Sequence, residues 1–306
     1  MIKRIATRSW STIYRCSETS FLVIRQGRAV LLERTMHREF EQTAVSEHLS
    51  NMSCAAWTTD KKFFLFSNTS GKCIICDATT FAMQDAFYLR HEPHGHHFIG
   101  LQNEFLFLDR NGMLNCYDCN TKEVSYVLDQ NNIMAIKLWN DKIHIFKNDT
   151  YYPINRTKTI SSRRMKSVSL PIQIHDLPKS FLAGIWNRKT KDRYDNYIVA
   201  VNHVLVGEDY KPILSVLKND SNLWEPILYL DRIESSRDRG YFCGCDIDFK
   251  RNLMAVVCSR AVFVIDIKTM NVLHEEPILY GSDICWVDNN SLLVAAWSGL
   301  YLMTIE

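Results

Sequence analysis

The chain alternates short apolar runs with polar, turn-forming segments along its whole length. Seven of the apolar runs are rich in aromatic, leucine and β-branched residues: 21–24, 63–66, 105–108, 143–146, 197–200, 253–256 and 292–295. Because such a run is apolar at consecutive positions, both of its faces must be covered. Turn-forming clusters such as 68–71, 109–112 and 297–299 bound the runs, and no long stripe with a period of 3.6 residues is present. The pattern predicts buried β-strands.

A second apolar run follows each of these runs after a turn, so the repeating unit is a hairpin. Segment 241–279 shows it clearly, with apolar residues at 253–258 and 261–265 on either side of Ser259 and Arg260. Successive runs begin 42, 42, 38, 54, 56 and 39 positions apart. Four of these steps are close to the roughly 40 to 45 residues of a propeller blade. Polar insertions at 187–196, 207–211 and 232–240 account for the two longer steps.

Three of the hairpins end in a recurring tail of aspartate and threonine. Asp77, Asp118 and Asp266 each close a second apolar run, and a threonine follows three residues later. In this respect the chain resembles the WD-repeat family, whose third strand ends in Trp-Asp and whose first strand follows a Gly-His pair. Here the tryptophan is replaced, and Gly95-His96 is the one match to the second motif. The resemblance implies a divergent all-β propeller in which the family's hydrogen-bonded tetrad is incomplete.

The number of strands predicts how the last repeat is completed. Residues 282–306 contain three strand-like segments, 283–287, 292–296 and 300–304, so one strand is missing. The N-terminal segment 2–7 can supply it, which would leave only short outer edges exposed. We therefore predict one domain, 1–306, that is a seven-bladed WD-repeat-like β-propeller with its last blade closed by the N-terminal strand. The predicted blades are 11–47, 52–89, 96–129, 133–170, 180–234, 241–279, and 282–306 together with 2–7.

Composition and charge narrow the classes of function. The 306 residues are 46% hydrophobic, which suffices for a sizeable core, and 36 Lys and Arg against 34 Asp and Glu give a net charge of +2. A net charge this small does not indicate that the protein binds nucleic acid or membrane surfaces through its overall charge. The first residues lack the apolar stretch of a signal peptide, and no run approaches the roughly 18 apolar residues of a membrane span. We predict a cytoplasmic or nuclear protein without membrane association, whose ten cysteines are reduced and mostly buried.

Two kinds of segment could hold a metal ion. The pairs Cys73/Cys76 and Cys116/Cys119 have the spacing of zinc ligands, but residues i and i+3 of a strand point to opposite faces, which favours buried structural cysteines. The histidine-rich segment 91–97 could bind a transition metal. Its His96, however, matches the Gly-His position of the WD-repeat family, which implies a packing role. We predict no metal and no cofactor.

The sequence contains no recognisable arrangement for catalysis. A Gly-x-Ser-x-Gly elbow and a phosphate-cradling Gly-rich loop are both missing, and the chain has only 11 glycines. We therefore predict a protein that is not an enzyme.

A basic segment supplies the alternative hypothesis. Residues 155–169 contain no acidic side chain and could contact phosphate groups of nucleic acid or of a modified peptide. No aromatic residues are interleaved, as they are in single-strand binders, so a solvated outer strand or connector of the fourth predicted blade is the favoured explanation. Its basic residues are Arg156, Lys158, Arg163, Arg164 and Lys166.

The resemblance also implies where a partner would bind. In WD-repeat propellers the turns between the second and third strands, together with the links between blades, form the face that most often receives a partner. On this chain that face would carry Arg25, Arg28, Arg110, Arg237, Arg239, Arg260 and Trp297. Arginine and tryptophan are enriched at binding hot spots, and a basic rim suits an acidic or phosphorylated peptide. We predict a non-catalytic protein–protein interaction scaffold, a subunit of an intracellular multiprotein complex.

Overall fold

The residues that the structure, a computed structural model, describes form β-strands joined by turns and links. The described residues are 2–37, 39–68, 70–89, 98–109, 111–127, 133, 135–139, 142–147, 150–154, 197–206, 209–218, 224–229 and 239–305. Within these ranges 26 strands form seven sheets, and all regular structure is β, so the all-β prediction is confirmed. The chain divides into two compact units, which are described separately: unit 1 is 1–45, 203–214 and 226–306, and unit 2 is 46–202 and 215–225. The single domain and the blade boundaries given above stay predictions.

Unit 1 contains three four-stranded sheets. Sheet 1 is β2 (Trp10–Arg15), β3 (Ser20–Arg25), β4 (Arg28–Arg34) and β5 (Phe40–Val45). Sheet 6 is β20 (Phe242–Asp248), β21 (Leu253–Cys258), β22 (Ala261–Asp266) and β23 (Val272–Pro277). Sheet 7 is β24 (Gly281–Asp288), β25 (Ser291–Ala296) and β26 (Gly299–Thr304) with β1 (Ile2–Ala6) outermost.

Unit 2 contains three sheets of the same hairpin construction. Sheet 2 is β6 (Met52–Trp57), β7 (Phe63–Asn68), β8 (Lys72–Asp77) and β9 (Met83–Tyr88). Sheet 3 is β10 (Phe98–Gly100), β11 (Glu104–Leu108), β12 (Leu114–Asp118) and β13 (Glu123–Tyr126). Sheet 4 is β14 (Ala135–Trp139), β15 (Lys142–Lys147) and β16 (Thr150–Ile154). The remaining sheet, sheet 5, is β17 (Tyr197–Val206), β18 (Asp209–Lys218) and β19 (Trp224–Tyr229).

The continuous apolar runs are explained by sheets that pack on both sides. Along β25, Leu292 and Val294 belong to the core between sheets 6 and 7, whereas Leu293 and Ala295 belong to the core between sheets 7 and 1. All four side chains are fully buried. Because successive side chains of a strand point to opposite faces, a strand between two sheets must be apolar at every position. Burying a leucine in this way contributes about 1.5 to 3 kcal/mol.

The N-terminal strand completes sheet 7, as the sequence predicts. Strand β1 pairs antiparallel with β26, with Ile2 opposite Met303 and Arg4 opposite Tyr301. Ile2 packs against the core between sheets 6 and 7, and Ile5 against the core between sheets 7 and 1. The first and last strands of the described chain are therefore neighbours in one sheet.

The aspartate tails form one recurring turn. Asp77 Oδ1 accepts hydrogen bonds from the backbone N–H groups of residues 79 and 80, at 3.0 and 2.8 Å, and Asp266 Oδ1 does the same for residues 268 and 269, at 2.8 Å each. Four residues after the aspartate, Phe81 and Met270 have φ near 59°, and each donates its N–H back to the aspartate carbonyl. The aspartate therefore stabilises the turn by satisfying backbone donors that the strand ladder leaves unpaired.

Candidate functional site

In unit 1 the turns β3–β4, β21–β22 and β25–β26 lie at the same end of the three sheets as the links between the sheets, and this end is here called the turn end. The link from sheet 6 to sheet 7 is hydrogen-bonded to both neighbouring turns, because Ile278 N–H donates to the carbonyl of Arg260 at 2.9 Å and Trp297 N–H to that of Tyr280 at 3.0 Å. Gly281 N–H also donates to the Ser259 carbonyl at 3.0 Å. The turn end is therefore a surface fixed by backbone hydrogen bonds.

Three large apolar side chains are exposed on the turn end and form what we call the aromatic patch: Leu279, Tyr280 and Trp297. Tyr280 and Trp297 stack with their ring centroids 5.8 Å apart, although they are 56% and 65% exposed. Ser298 connects the patch to β26, because its hydroxyl donates a hydrogen bond to the Leu279 carbonyl at 2.8 Å and accepts one from the Tyr301 hydroxyl at 2.9 Å. Tyr241, 70% exposed, lies beside the same link through paired hydrogen bonds with Ser259.

The two arginines next to the patch have different roles. Arg260 is exposed in the turn between β21 and β22. Arg239 donates two hydrogen bonds to Glu275, at 3.0 and 2.9 Å, and its guanidinium lies 5.1 Å from the centre of the Phe263 ring. The charge of Arg239 is thus balanced by Glu275 within the chain.

A second feature of the turn end is a groove of about 500 Å³ lined by Arg4, Ile5, Ala6, Thr7, Arg8 and Arg25, here called the arginine groove. The tight turn of Gln26 and Gly27, with φ of 46° and 75°, places Arg25 opposite Arg28 in the ladder of β3 and β4. Arg25 lies 5.2 Å from the Trp10 ring. Burial, followed by the charges of Arg8 and Arg28, lowers the pKa of Arg25 below its ordinary value. This concentration of positive charge favours an anion in the groove.

Solved structures share this architecture over the whole chain. The β-propeller domain of Cps50 (Swd1) from Myceliophteria thermophila is 8% identical over 100% of both chains, with a TM-score of 0.62. The fold is that of a WD-repeat β-propeller. The C-terminal WD40 domain of Sif2 is 13% identical over 100% of this chain and 99% of its own (TM-score 0.63), and Saccharomyces cerevisiae Sqt1 is 13% identical over 99% and 84% (TM-score 0.52). No protein-family model matches the propeller, and no curated protein matches it in sequence.

Some of the residues predicted for the binding face of the propeller are placed by the structure. Arg25, Arg28, Arg239, Arg260 and Trp297 all lie on the turn end of unit 1. Arg110 and Arg237 lie outside the described residues, as do Arg156, Lys158, Arg163, Arg164, Lys166 and the histidine segment 91–97. Their proposed contacts stay predictions.

The residues that the links and the first strand contribute to the turn end were not predicted from the sequence. Tyr280 and Leu279 lie in a link, and Arg4 and Arg8 lie in or next to β1. An aromatic residue directly before Gly281, where the chain starts a new sheet, was a usable signal for Tyr280. The arginines gave no such signal, because Arg4 and Arg25 are brought together only by the pairing of β1 with β26.

One of the two cysteine pairs, Cys116/Cys119, is divided between two cores, as predicted. Cys116 belongs to the core between sheets 3 and 4, whereas Cys119 packs against the core between sheets 2 and 3. Burial is the main reason that the pKa of Cys76 and that of Cys119 are each raised to about 12, which keeps both thiols protonated. In the described part of the propeller, no three His, Cys, Asp or Glu residues are grouped so that they could hold a metal ion. Nor does any helix in that part have the length and apolar character needed to cross a membrane.

Proposed function

We propose that this propeller is a non-catalytic protein-interaction scaffold, a subunit of an intracellular complex in the cytoplasm or nucleus, and that a partner binds on the turn end of unit 1. Propellers with the WD40 fold, the fold seen in the similar structures, are typically interaction scaffolds. The observation that carries the proposal is the stacked pair of Tyr280 and Trp297, exposed on a hydrogen-bonded base. Other protein subunits, through an acidic or phosphorylated segment, are the partners that the surface suits.

The physical argument rests on preorganisation. Aromatic side chains supply a large apolar contact area and lose little rotamer freedom on binding. Tyr280 and Trp297 are already held against each other, and the Trp297 backbone is fixed to the Tyr280 carbonyl. A partner that covers the patch therefore gains apolar burial without ordering a loop, while Arg260 at its edge favours an acidic residue.

The proposal is tested by comparing the proteins that co-purify with three forms of the tagged chain: wild type, Trp297→Ala and Tyr88→Ala. Tyr88 is 70% exposed on the outer strand β9 and serves as the matched aromatic control. We expect Trp297→Ala to reduce the amount of a stoichiometric partner about 10-fold or more, as for a hot-spot residue, and Tyr88→Ala to retain it.

Melting temperatures of the two variants are compared to confirm that both fold. The proposal is wrong if the Trp297→Ala chain, still folded, recovers the same partners in the same amounts as wild type. Binding of nucleic acid through residues 156–166 stays the alternative, and a steep decrease of RNA binding with salt, abolished by neutralising Arg163 and Arg164, would favour it.

A further inference from the structure

The arginine groove has no carboxylate in its lining, whereas three other arginines of unit 1 are paired with one. Arg34 pairs with Asp288 at 2.5 Å, Arg239 with Glu275 at 2.9 Å and Arg251 with Asp248 at 2.7 Å. Within the described residues Arg4, Arg8 and Arg25 form no ion pair, and the groove that they line contains no acidic side chain. Three arginines therefore line one cavity that has no acidic residue in its lining.

The groove is held in place by packing and hydrogen bonds. Arg25 lies over Trp10, whose indole N–H donates to the carbonyl of Thr7, a lining residue, at 2.8 Å. Arg8 is fixed in a left-handed backbone conformation, with φ of 73°. On the other side Gly299 approaches β1 so closely that a Cβ atom there would lie 2.8 Å from Arg4 Cδ and 2.7 Å from the Ala6 carbonyl oxygen. The backbone that carries these arginines is therefore ordered before an anion binds, which lowers the entropy cost of binding.

We propose that the arginine groove binds the phosphate group of a phosphorylated serine or threonine in a partner protein, an inference that rests on the proposed function and names the chemistry of its partner. A phosphate dianion offers three strong acceptor oxygens and nearly two negative charges, which suits a groove lined by three arginines better than a single carboxylate does. Gly299, next to Arg4, follows Trp297 by two residues. A phosphorylated residue in the groove would therefore place its neighbours in the partner chain close to the aromatic patch.

The test uses a synthetic peptide library with a fixed central phosphoserine or phosphothreonine and the same library without phosphate, captured on the immobilised full chain. Wild type should enrich the phosphorylated library. We expect Arg4→Glu and Arg8→Glu each to reduce this enrichment about 10-fold or more, as the loss of charge-assisted hydrogen bonds predicts. Lys3→Glu is the matched control, because Lys3 is exposed in β1, undergoes the same charge change and does not line the groove.

A second measurement is independent of library capture. The indole N–H of Trp10 donates a hydrogen bond to the carbonyl of Thr7, which lines the groove. Its NMR resonance should therefore shift when O-phosphoserine is added to wild type and not when it is added to Arg8→Glu. Assignment by Trp10→Phe identifies the resonance. Arg4→Gln and Arg8→Gln repeat both measurements if a glutamate variant does not fold.

Several results would overturn the inference: equal capture of both libraries by wild type, loss of enrichment in Lys3→Glu equal to that in Arg8→Glu, or tight binding of an oligouridylate without any preference for phosphopeptides. These outcomes can be told apart from failure of the scaffold proposal. If Trp297→Ala loses partners while the groove shows no phosphate preference, only the phosphate inference fails. If Trp297→Ala loses nothing, the scaffold site itself is wrong.

Discussion

At the scale of single residues, two buried aspartates connect neighbouring sheets of unit 1. Asp246 Oδ2 accepts the backbone N–H of Trp286 at 2.6 Å, and Asp283 Oδ2 accepts that of Ile13 at 2.8 Å. Each aspartate lies in the first strand of its sheet and bonds to the first strand of the next one. Both carboxylates are almost fully buried, at 4% and 2% exposure. Buried carboxylates are costly unless hydrogen-bonded, so these contacts indicate a required connection between sheets.

Replacement of Asp283 tests this connection. Asp283→Ala leaves the N–H of Ile13 without its acceptor in a buried position, and we expect a loss of about 1 to 3 kcal/mol in the free energy of unfolding. Asp283→Asn keeps an acceptor oxygen and should lose less. Urea unfolding followed by tryptophan fluorescence measures both values. Equal stability of the alanine variant and wild type would contradict the prediction.

At the scale of elements, the inner strands of sheets 2 and 3 approach each other more closely than side chains allow. Gly100, at the end of β10, is buried, and a Cβ atom there would lie 1.5 Å from the Trp57 carbonyl oxygen and 2.8 Å from the Thr58 nitrogen. Beside it, Thr59 N–H donates to the Leu101 carbonyl at 3.1 Å. The contact is between backbone atoms, so no side-chain rotation can relieve the steric clash of an added methyl group.

We therefore expect Gly100→Ala to destabilise the chain by about 3 kcal/mol or more, because one of the two strands would have to move. Thermal unfolding monitored by circular dichroism measures the change. Gly112→Ala is a useful comparison, because it places an alanine in a turn at a φ of 67°, a left-handed backbone conformation that strains alanine. A smaller loss for Gly100→Ala than for Gly112→Ala would contradict the proposed close approach.

At the scale of the whole molecule, the pairing of the first strand with the last connects residues about 300 positions apart. Lys3 lies opposite Leu302, and Arg4 opposite Tyr301. Residues directly opposite in an antiparallel pair point to the same face, whereas Arg4 and Leu302 point to opposite faces. The pairing also creates the arginine groove, since Arg4 is on β1 and Arg25 is on sheet 1.

A disulfide tests the register of this pairing. We expect Lys3→Cys with Leu302→Cys to cross-link under mild oxidation and to raise the free energy of unfolding by up to about 5 kcal/mol, because the bond closes a very long loop. Arg4→Cys with Leu302→Cys is the control, and its sulfurs should not meet. Non-reducing gels and intact mass measure cross-linking, and urea unfolding measures stability. Cross-linking of both pairs to the same extent would contradict the register.

The sequence by itself determined the strands, the hairpins and the recurring turns. Runs such as 292–295 are apolar at every position because each strand is covered on both faces. This need for consecutive apolar residues can be recognised in the sequence. The turns of Asp77 and Asp266 are equally local, since the side chain bonds to N–H groups two and three residues away. The role of residues 2–7 as the outer strand of the last sheet could be predicted because the last repeat contains only three strand-like segments.

Only the tertiary structure decided which side chains meet. The contact of Asp283 with Ile13 joins residues 270 positions apart, and nothing near either residue in the sequence indicates it. For the same reason the sequence did not show that Arg4, Arg8 and Arg25 line one groove, that Arg239 is neutralised by Glu275, or that Tyr280 stacks on Trp297. Short-range patterns fix the backbone of each hairpin, whereas the chemistry of a surface depends on which hairpins the fold places side by side.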